Sequence, residues 1–162
     1  TAEAVSDAIE WLEDTENYNP DIIMVLQPTS PLRTSEDIDN AIEQFIESSK
    51  NCLVSVHEMV EHPYECVKNI ETEDWHYIEE QDTQATRRQD YHQKFYYING
   101  AIYITTKDFF NKERVLIQDS STSFYIMPSE RGIDIDDYND LEKVECYLKK
   151  SYHTTKNGNL KK

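Results

Sequence analysis

Basic residues are in short supply in this chain. Sixteen Lys and Arg stand against 32 Asp and Glu, for a formal net charge of −16 at pH 7. That balance argues against a nucleic-acid-binding protein, because phosphate backbones require a basic footprint and nothing here offers one. It does not exclude a nucleotide, since one triphosphate needs only a few local cations and a metal. Cysteine is also sparse. Cys52, Cys66 and Cys146 are an odd set without metal-ligand spacing, so they read as buried or incidental thiols. The five histidines, His57, His62, His76, His92 and His153, have no metal-ligand spacing either and are given no role. No apolar run is long enough to span a bilayer, and no signal peptide opens the chain. These absences predict a soluble cytoplasmic protein whose acidic excess serves solubility.

Glycine is scarce at three, but aromatics are not: eleven Tyr, five Phe and two Trp give a core enough bulk although the apolar fraction is only 38%. A length of 162 residues suits one domain. Val5, Ala8, Ile9 and Leu12 repeat at helical spacing and predict a helix over residues 1–13, with Thr1 as its cap. Residues 17–21 make a turn. The continuous apolar run 22–26 reads as a parallel strand covered on both faces. A second helix starts near Thr34 or Ser35, with Glu36 and Asp37 favourable in its first turn and Ile38, Ala41, Ile42 and Phe45 on its apolar face. Residues 52–56 form the next strand, so a parallel, right-handed crossover is expected.

From 57 to 94 the pattern becomes polar, with short strands near 65–70 and 75–78 and a charged stretch at 79–90; a small antiparallel excursion fits. Order resumes with Asn99-Gly100 leading into a strand at 101–105, a short helix near 107–111 and a strand near 124–127. An extended segment at 133–136 lies at the sheet's edge, and Leu141, Val144 and Leu148 line a last helix. A polar, frayed tail runs from 151 to 162. There is no internal repeat, and the alternation of strands and helices predicts an α/β fold. The domain proper spans 1–150.

Four strings carry chemistry. Leu26-Gln27-Pro28-Thr29-Ser30-Pro31-Leu32-Arg33 follows the buried strand and precedes a helix, which is where open α/β sheets bind ligands. Its two prolines fix the backbone, so Gln27, Thr29, Ser30 and Arg33 are presented at little ordering cost. By spacing alone it is an ordinary loop with Arg33 paired to an acid. In Ile133-Asp134-Ile135-Asp136 an extended backbone puts both carboxylates on one face, roughly 7 Å apart. Such a pair can hold Mg²⁺, whose shell water and phosphate complete. The plainer alternative is two surface acids before a helix N-terminus. Asn99-Gly100 is either a hairpin turn or a strand entrance that sets the Asn amide beside a ligand, with Tyr103 further along the same strand. Arg87-Arg88 is either a solvated face or a bidentate clamp for a carboxylate.

Taken in order, Leu26 to Arg33, Arg87-Arg88-Gln89, Asn99-Gly100-Ala101-Ile102-Tyr103-Ile104 and Ile133 to Asp136 with Asp140-Leu141 behind them resemble the acylneuraminate cytidylyltransferases. These are also called CMP-sialic acid synthetases, and their relatives act on legionaminic and pseudaminic acids. The resemblance covers nearly the whole chain, up to about Leu148. It implies a Rossmann-like nucleotidyltransferase three-layer sandwich with a mostly parallel sheet and a dimerisation arm at 57–94. It implies that Asp134 and Asp136 bind Mg²⁺ and form the catalytic pair. Gln27, Asn99 and Tyr103 would line the sugar pocket, and Arg88 would contact the sugar carboxylate across a homodimer. The implied reaction joins CTP and a nine-carbon sugar acid to give the CMP-sugar and pyrophosphate, with no general base identified.

Family members begin with a strand and a basic, Ser/Gly-containing loop that grips the triphosphate, and nothing of that kind precedes Thr1. The chain is therefore expected to lack the N-terminal strands and to be inactive alone. Tyr97-Ile98 stands where many sialate enzymes carry a basic residue and a proline, which leaves the sugar acid open. The alternatives are a cytidylyltransferase for the eight-carbon acid Kdo, or a non-catalytic interaction module.

Overall fold

The computed structural model describes residues 1–71, 74–79 and 91–158. The chain begins with helix α1, Ala2–Glu16, which ends where Asn17 turns left-handed at φ 48°. Thr1 occupies the N-cap position without a side-chain cap bond. Strand β1, Ile22–Val25, leads through the proline loop to α2, Ser35–Glu47. Thr34 caps α2 through a reciprocal capping box: its hydroxyl accepts from the Asp37 N–H, and the Asp37 carboxylate accepts from the Thr34 N–H. Then come β2, Cys52–Glu58, and a separate two-stranded antiparallel ribbon of β3, Val67–Glu71, and β4, Asp74–Tyr77. The chain returns as β5, Tyr96–Thr106, followed by α3, Lys107–Glu113, β6, Thr122–Ile126, and α4, Tyr138–Gly158.

The main sheet has the order β1-β5-β2-β6. β1, β2 and β6 run in one direction and β5 runs against them, so only the β2–β6 ladder is parallel. The strands flanking α2 are parallel to one another as expected, but β5 lies between them. This is a mixed α/β sandwich of the Rossmann-like nucleotidyltransferase kind. α2 packs Ala41 and Phe45 against Leu53, Ile102, Ile104 and Met127. Strand alternation sends Cys52 and Thr105 to the opposite face, where the Cys52 Sγ lies 3.6 Å from the Thr105 hydroxyl.

Several expectations are corrected. β1 is not covered on both faces: it pairs only with β5 among the described strands, and Ile22 is 45% exposed. Asn99-Gly100, open to reading as a hairpin turn or a strand entrance, is neither and sits inside β5, where Gly100 takes φ 71° opposite a register shift between Val54 and Val56. A glycine is needed at that shift because other residues rarely adopt this backbone. Residues 133–136 do not join the sheet. The Ile135 N–H instead bonds the Thr29 carbonyl at 2.8 Å, tying this segment to the proline loop. The stretch expected to be a frayed tail continues α4 as far as Gly158. Among the described residues no helix is long and apolar enough to cross a membrane.

Candidate functional site

The carboxyl ends of β1, β2 and β6 and the amino end of β5 all meet at one end of the sheet. A 540 Å³ cleft opens there, the position at which open α/β sheets take ligands. Each strand end delivers a residue or a short segment. Gln27 follows β1, His57 lies at the end of β2, Asn99 and Tyr103 lie on β5, and Asp134 and Asp136 follow β6. Five of the six site residues read from the sequence, Gln27, Asn99, Tyr103, Asp134 and Asp136, therefore line one cleft. The sixth, Arg88, lies outside the described residues.

Asn99 is buried, and its orientation is fixed. Its side-chain oxygen accepts from the Ser55 hydroxyl at 2.6 Å and from the Ala101 N–H at 3.1 Å. The Ser55 hydroxyl oxygen in turn accepts from the Ile102 N–H at 2.8 Å. The amide nitrogen is left with only the Met127 sulfur at 3.8 Å, so a stronger acceptor brought into the cleft would displace little. Gln27 and Tyr103 flank Gly100: a β-carbon there would meet the Tyr103 hydroxyl at 3.5 Å and Gln27 Oε1 at 3.7 Å. Burial raises the Tyr103 pKa, and the negative charge of Asp134 raises it further, so the phenol stays a neutral donor.

The carboxylate pair is asymmetric. Asp134 has its Oδ1 buried without a hydrogen-bond partner, whereas Asp136 is exposed. An unpaired buried carboxylate oxygen calls for a cation or a donor brought in from outside. The alternation expected of an extended segment is imperfect, because Ile133 lines the cleft along with the two aspartates. Behind the pair, Asp140 accepts from the Asp136 N–H at 3.3 Å and binds Lys143 at 2.8 Å. Among the described residues no three His, Cys, Asp or Glu side chains form a metal cage by themselves. Mg²⁺ does not need one, since it is held by one or two carboxylates with water and phosphate.

Arg33 is not presented to a ligand. Its guanidinium donates to the carbonyls of Ala101 at 2.5 Å and Gln27 at 3.3 Å, bolting the proline loop to β5. Ser30 is fully buried, and Thr29 reaches Gln27 Oε1 at 3.5 Å.

Sequence reasoning passed over three other features. Asp37 is fully buried and receives a bidentate bond from Arg131, with Nε to Oδ2 at 2.9 Å and Nη2 to Oδ1 at 2.7 Å. This pair ties the start of α2 to the 3₁₀ turn Ser129–Arg131 just before Gly132. Gly132 allows a close approach: a β-carbon there would fall 2.6 Å from Asn99 Nδ2 and 2.8 Å from His57 Nδ1. His57 itself lines the cleft. Its position at the end of a buried strand was a legible signal, but metal-ligand spacing was the wrong criterion for it.

An α/β sandwich with a carboxylate pair and fixed amide and phenol donors at its strand ends has the layout of a nucleotidyltransferase-like domain. The comparisons with known proteins agree, and the chain is homologous to members of the acylneuraminate cytidylyltransferase family. It is 32% identical over 139 residues to an N-acylneuraminate cytidylyltransferase of Streptococcus agalactiae serotype V, covering 86% of this chain and 32% of that protein. The serotype III protein of the same name matches to the same extent. A post-translational flagellin modification protein B of Campylobacter coli is 30% identical over 134 residues, covering 80% of this chain and 53% of that protein. The chain thus spans between a third and about half the length of these relatives. No family model matches it.

Proposed function

We propose that this chain takes part in nucleotidyl transfer from CTP to the anomeric hydroxyl of a nonulosonic, sialic-type acid, giving the CMP-sugar and pyrophosphate. The observation that carries this reading is the gathering of Gln27, Asn99, Tyr103, Asp134 and Asp136 from three parts of the chain into one cleft. Gln27, Asn99 and Tyr103 supply fixed neutral donors for a hydroxylated acid. Asp134 and Asp136 would hold Mg²⁺, and the unpartnered Asp134 Oδ1 fits that role. When bound, the ion supplies positive charge at the phosphates. The chain's own contribution is positional. Asn99 is locked by Ser55, the proline loop is held by Arg33, and the Asp134 segment is pinned to Thr29. That rigidity brings the attacking hydroxyl and the phosphate together at little entropic cost. In the same reading the ribbon β3–β4, with Val67, Trp75 and Tyr77 exposed, is the arm of a homodimer.

The test uses Mn²⁺ as a paramagnetic stand-in. Resonances of residues lining the cleft, Tyr103 among them, should broaden first, and the double variant Asp134→Asn with Asp136→Asn should lose that effect. Uniform broadening in both proteins would rule out the metal assignment. In a chain extended at its N-terminus with the expected triphosphate loop, pyrophosphate release with N-acetylneuraminate set against Kdo decides the sugar; faster turnover on Kdo would replace the nine-carbon reading with the eight-carbon one.

A further inference from the structure

His57, which lines the cleft, has a buried nitrogen without a partner. Its Nδ1 is enclosed and has no hydrogen-bond partner. It is packed over Gly132, where a β-carbon would come within 2.8 Å of it. A buried N–H without an acceptor is rarer and costlier than an unpaired acceptor. The proton of the imidazole therefore belongs on Nε2, and the half-buried ring turns that side to the cleft. Two features hold the ring in place. His57 pairs across the sheet with Tyr97, ring centroids 5.6 Å apart, and Gly132 closes its other side. The amide nitrogen of Asn99 lies against the same glycine, 2.6 Å from the same β-carbon position. Gly132 thus leaves room for two side chains, His57 and Asn99 from different strands, at one corner of the cleft.

The cleft needs donors. Four carboxylates line it, Glu130, Asp134, Asp136 and Asp140, and Lys143 is already paired with Asp140. A polyhydroxylated acid would have to seat its oxygens where acceptors are not already crowded.

We propose that His57 is a specificity-determining residue of this cleft, donating from Nε2 to an oxygen of the sugar acid beside the Asn99 amide. The inference rests on the sugar-acid reading above and deepens it, by assigning a substrate contact to a residue outside the carboxylate pair. Burial also lowers the His57 pKa, which keeps the ring neutral near pH 7.

The experiment is long-range ¹H–¹⁵N NMR on the ¹⁵N-histidine-labelled chain, with N-acetylneuraminate as probe, together with affinities for N-acetylneuraminate and CMP. The expected result is a neutral His57 with the proton on Nε2, whose Nε2–H signal shifts on addition of the sugar acid. His57→Phe should weaken N-acetylneuraminate about tenfold with CMP unchanged, and His57→Gln, which keeps a donor, should stay within about threefold. A proton on Nδ1 overturns the proposal. So does an unmoved His57 signal when Tyr103 responds to the sugar, an outcome that leaves the sugar-acid reading standing. If neither N-acetylneuraminate nor Kdo perturbs any cleft residue, that reading falls and this proposal with it.

Discussion

Asp37 is the residue on which most of the site's scaffold converges. Its carboxylate accepts from the Thr34 N–H and hydroxyl, from both ends of the Arg131 fork and, at 3.3 Å, from the Tyr125 hydroxyl. Burial alone would raise its pKa, but the Arg131 and Thr34 bonds outweigh that and hold it below the ordinary value of 3.8. A carboxyl with a lowered folded-state pKa stabilises the fold above its unfolded value and loses that contribution as pH falls through the folded one. Asp37→Asn should therefore cost about 3 kcal/mol at pH 7, the low end for a broken buried pair because Arg131 can still turn to water. The gap from wild type should shrink as pH falls below 3.8. Urea unfolding at pH 7 and pH 3 checks both parts; a gap that does not change with pH would mean the Asp37 charge contributes nothing.

Among the elements, the ribbon β3–β4 differs from the rest. It is hydrogen-bonded to itself rather than to the main sheet, and Val67, Trp75 and Tyr77 face solvent. Its root is better packed: His62 stacks on Tyr64 and Tyr91 at 4.6 and 4.3 Å, with Phe95 edge-on at 5.1 Å. An element with few buried apolar contacts opens at lower free energy than a central strand. Amides of β3 and β4 should exchange in the monomer at least about a hundredfold faster than those of Leu53, Val54 and Ile104. Equal protection would show that the ribbon is covered, as it would be in a dimer, and sedimentation at the same concentration distinguishes the two. The same logic explains why Asn99-Gly100 was ambiguous. A turn and a bulged strand ask for the same residue pair, and only the partner strand β2, with its shift between Val54 and Val56, selects the bulge.

Over the whole molecule the charge of −16 is spread across a chain whose buried ion pair, Asp37–Arg131, is a local exception. Like charges at that density repel one another in the compact state, and salt screens them with a Debye length near 10 Å at 0.1 M. Raising NaCl from about 0.02 to 0.3 M should raise the melting temperature by a few degrees. A fall would mean that attractive surface pairs such as Lys94–Glu58 dominate instead.

The sequence by itself determined the class of fold and the position of nearly every helix and strand, and its ordered motifs singled out five of the residues that line the cleft, Gln27, Asn99, Tyr103, Asp134 and Asp136. Those features are written in local patterns: helical spacing at Ile38, Ala41 and Phe45, a solid apolar run at β2, and a rigid proline loop after β1. Only the tertiary structure decided what each polar group does there. Arg33 faces backbone carbonyls rather than a ligand, Asp37 is buried against an arginine 94 positions away, and Asp134 keeps a buried oxygen unpaired. The direction of β5 and the edge position of β1 belong to the same class. Each depends on which distant segment supplies the neighbour, and no local pattern of residues encodes that choice.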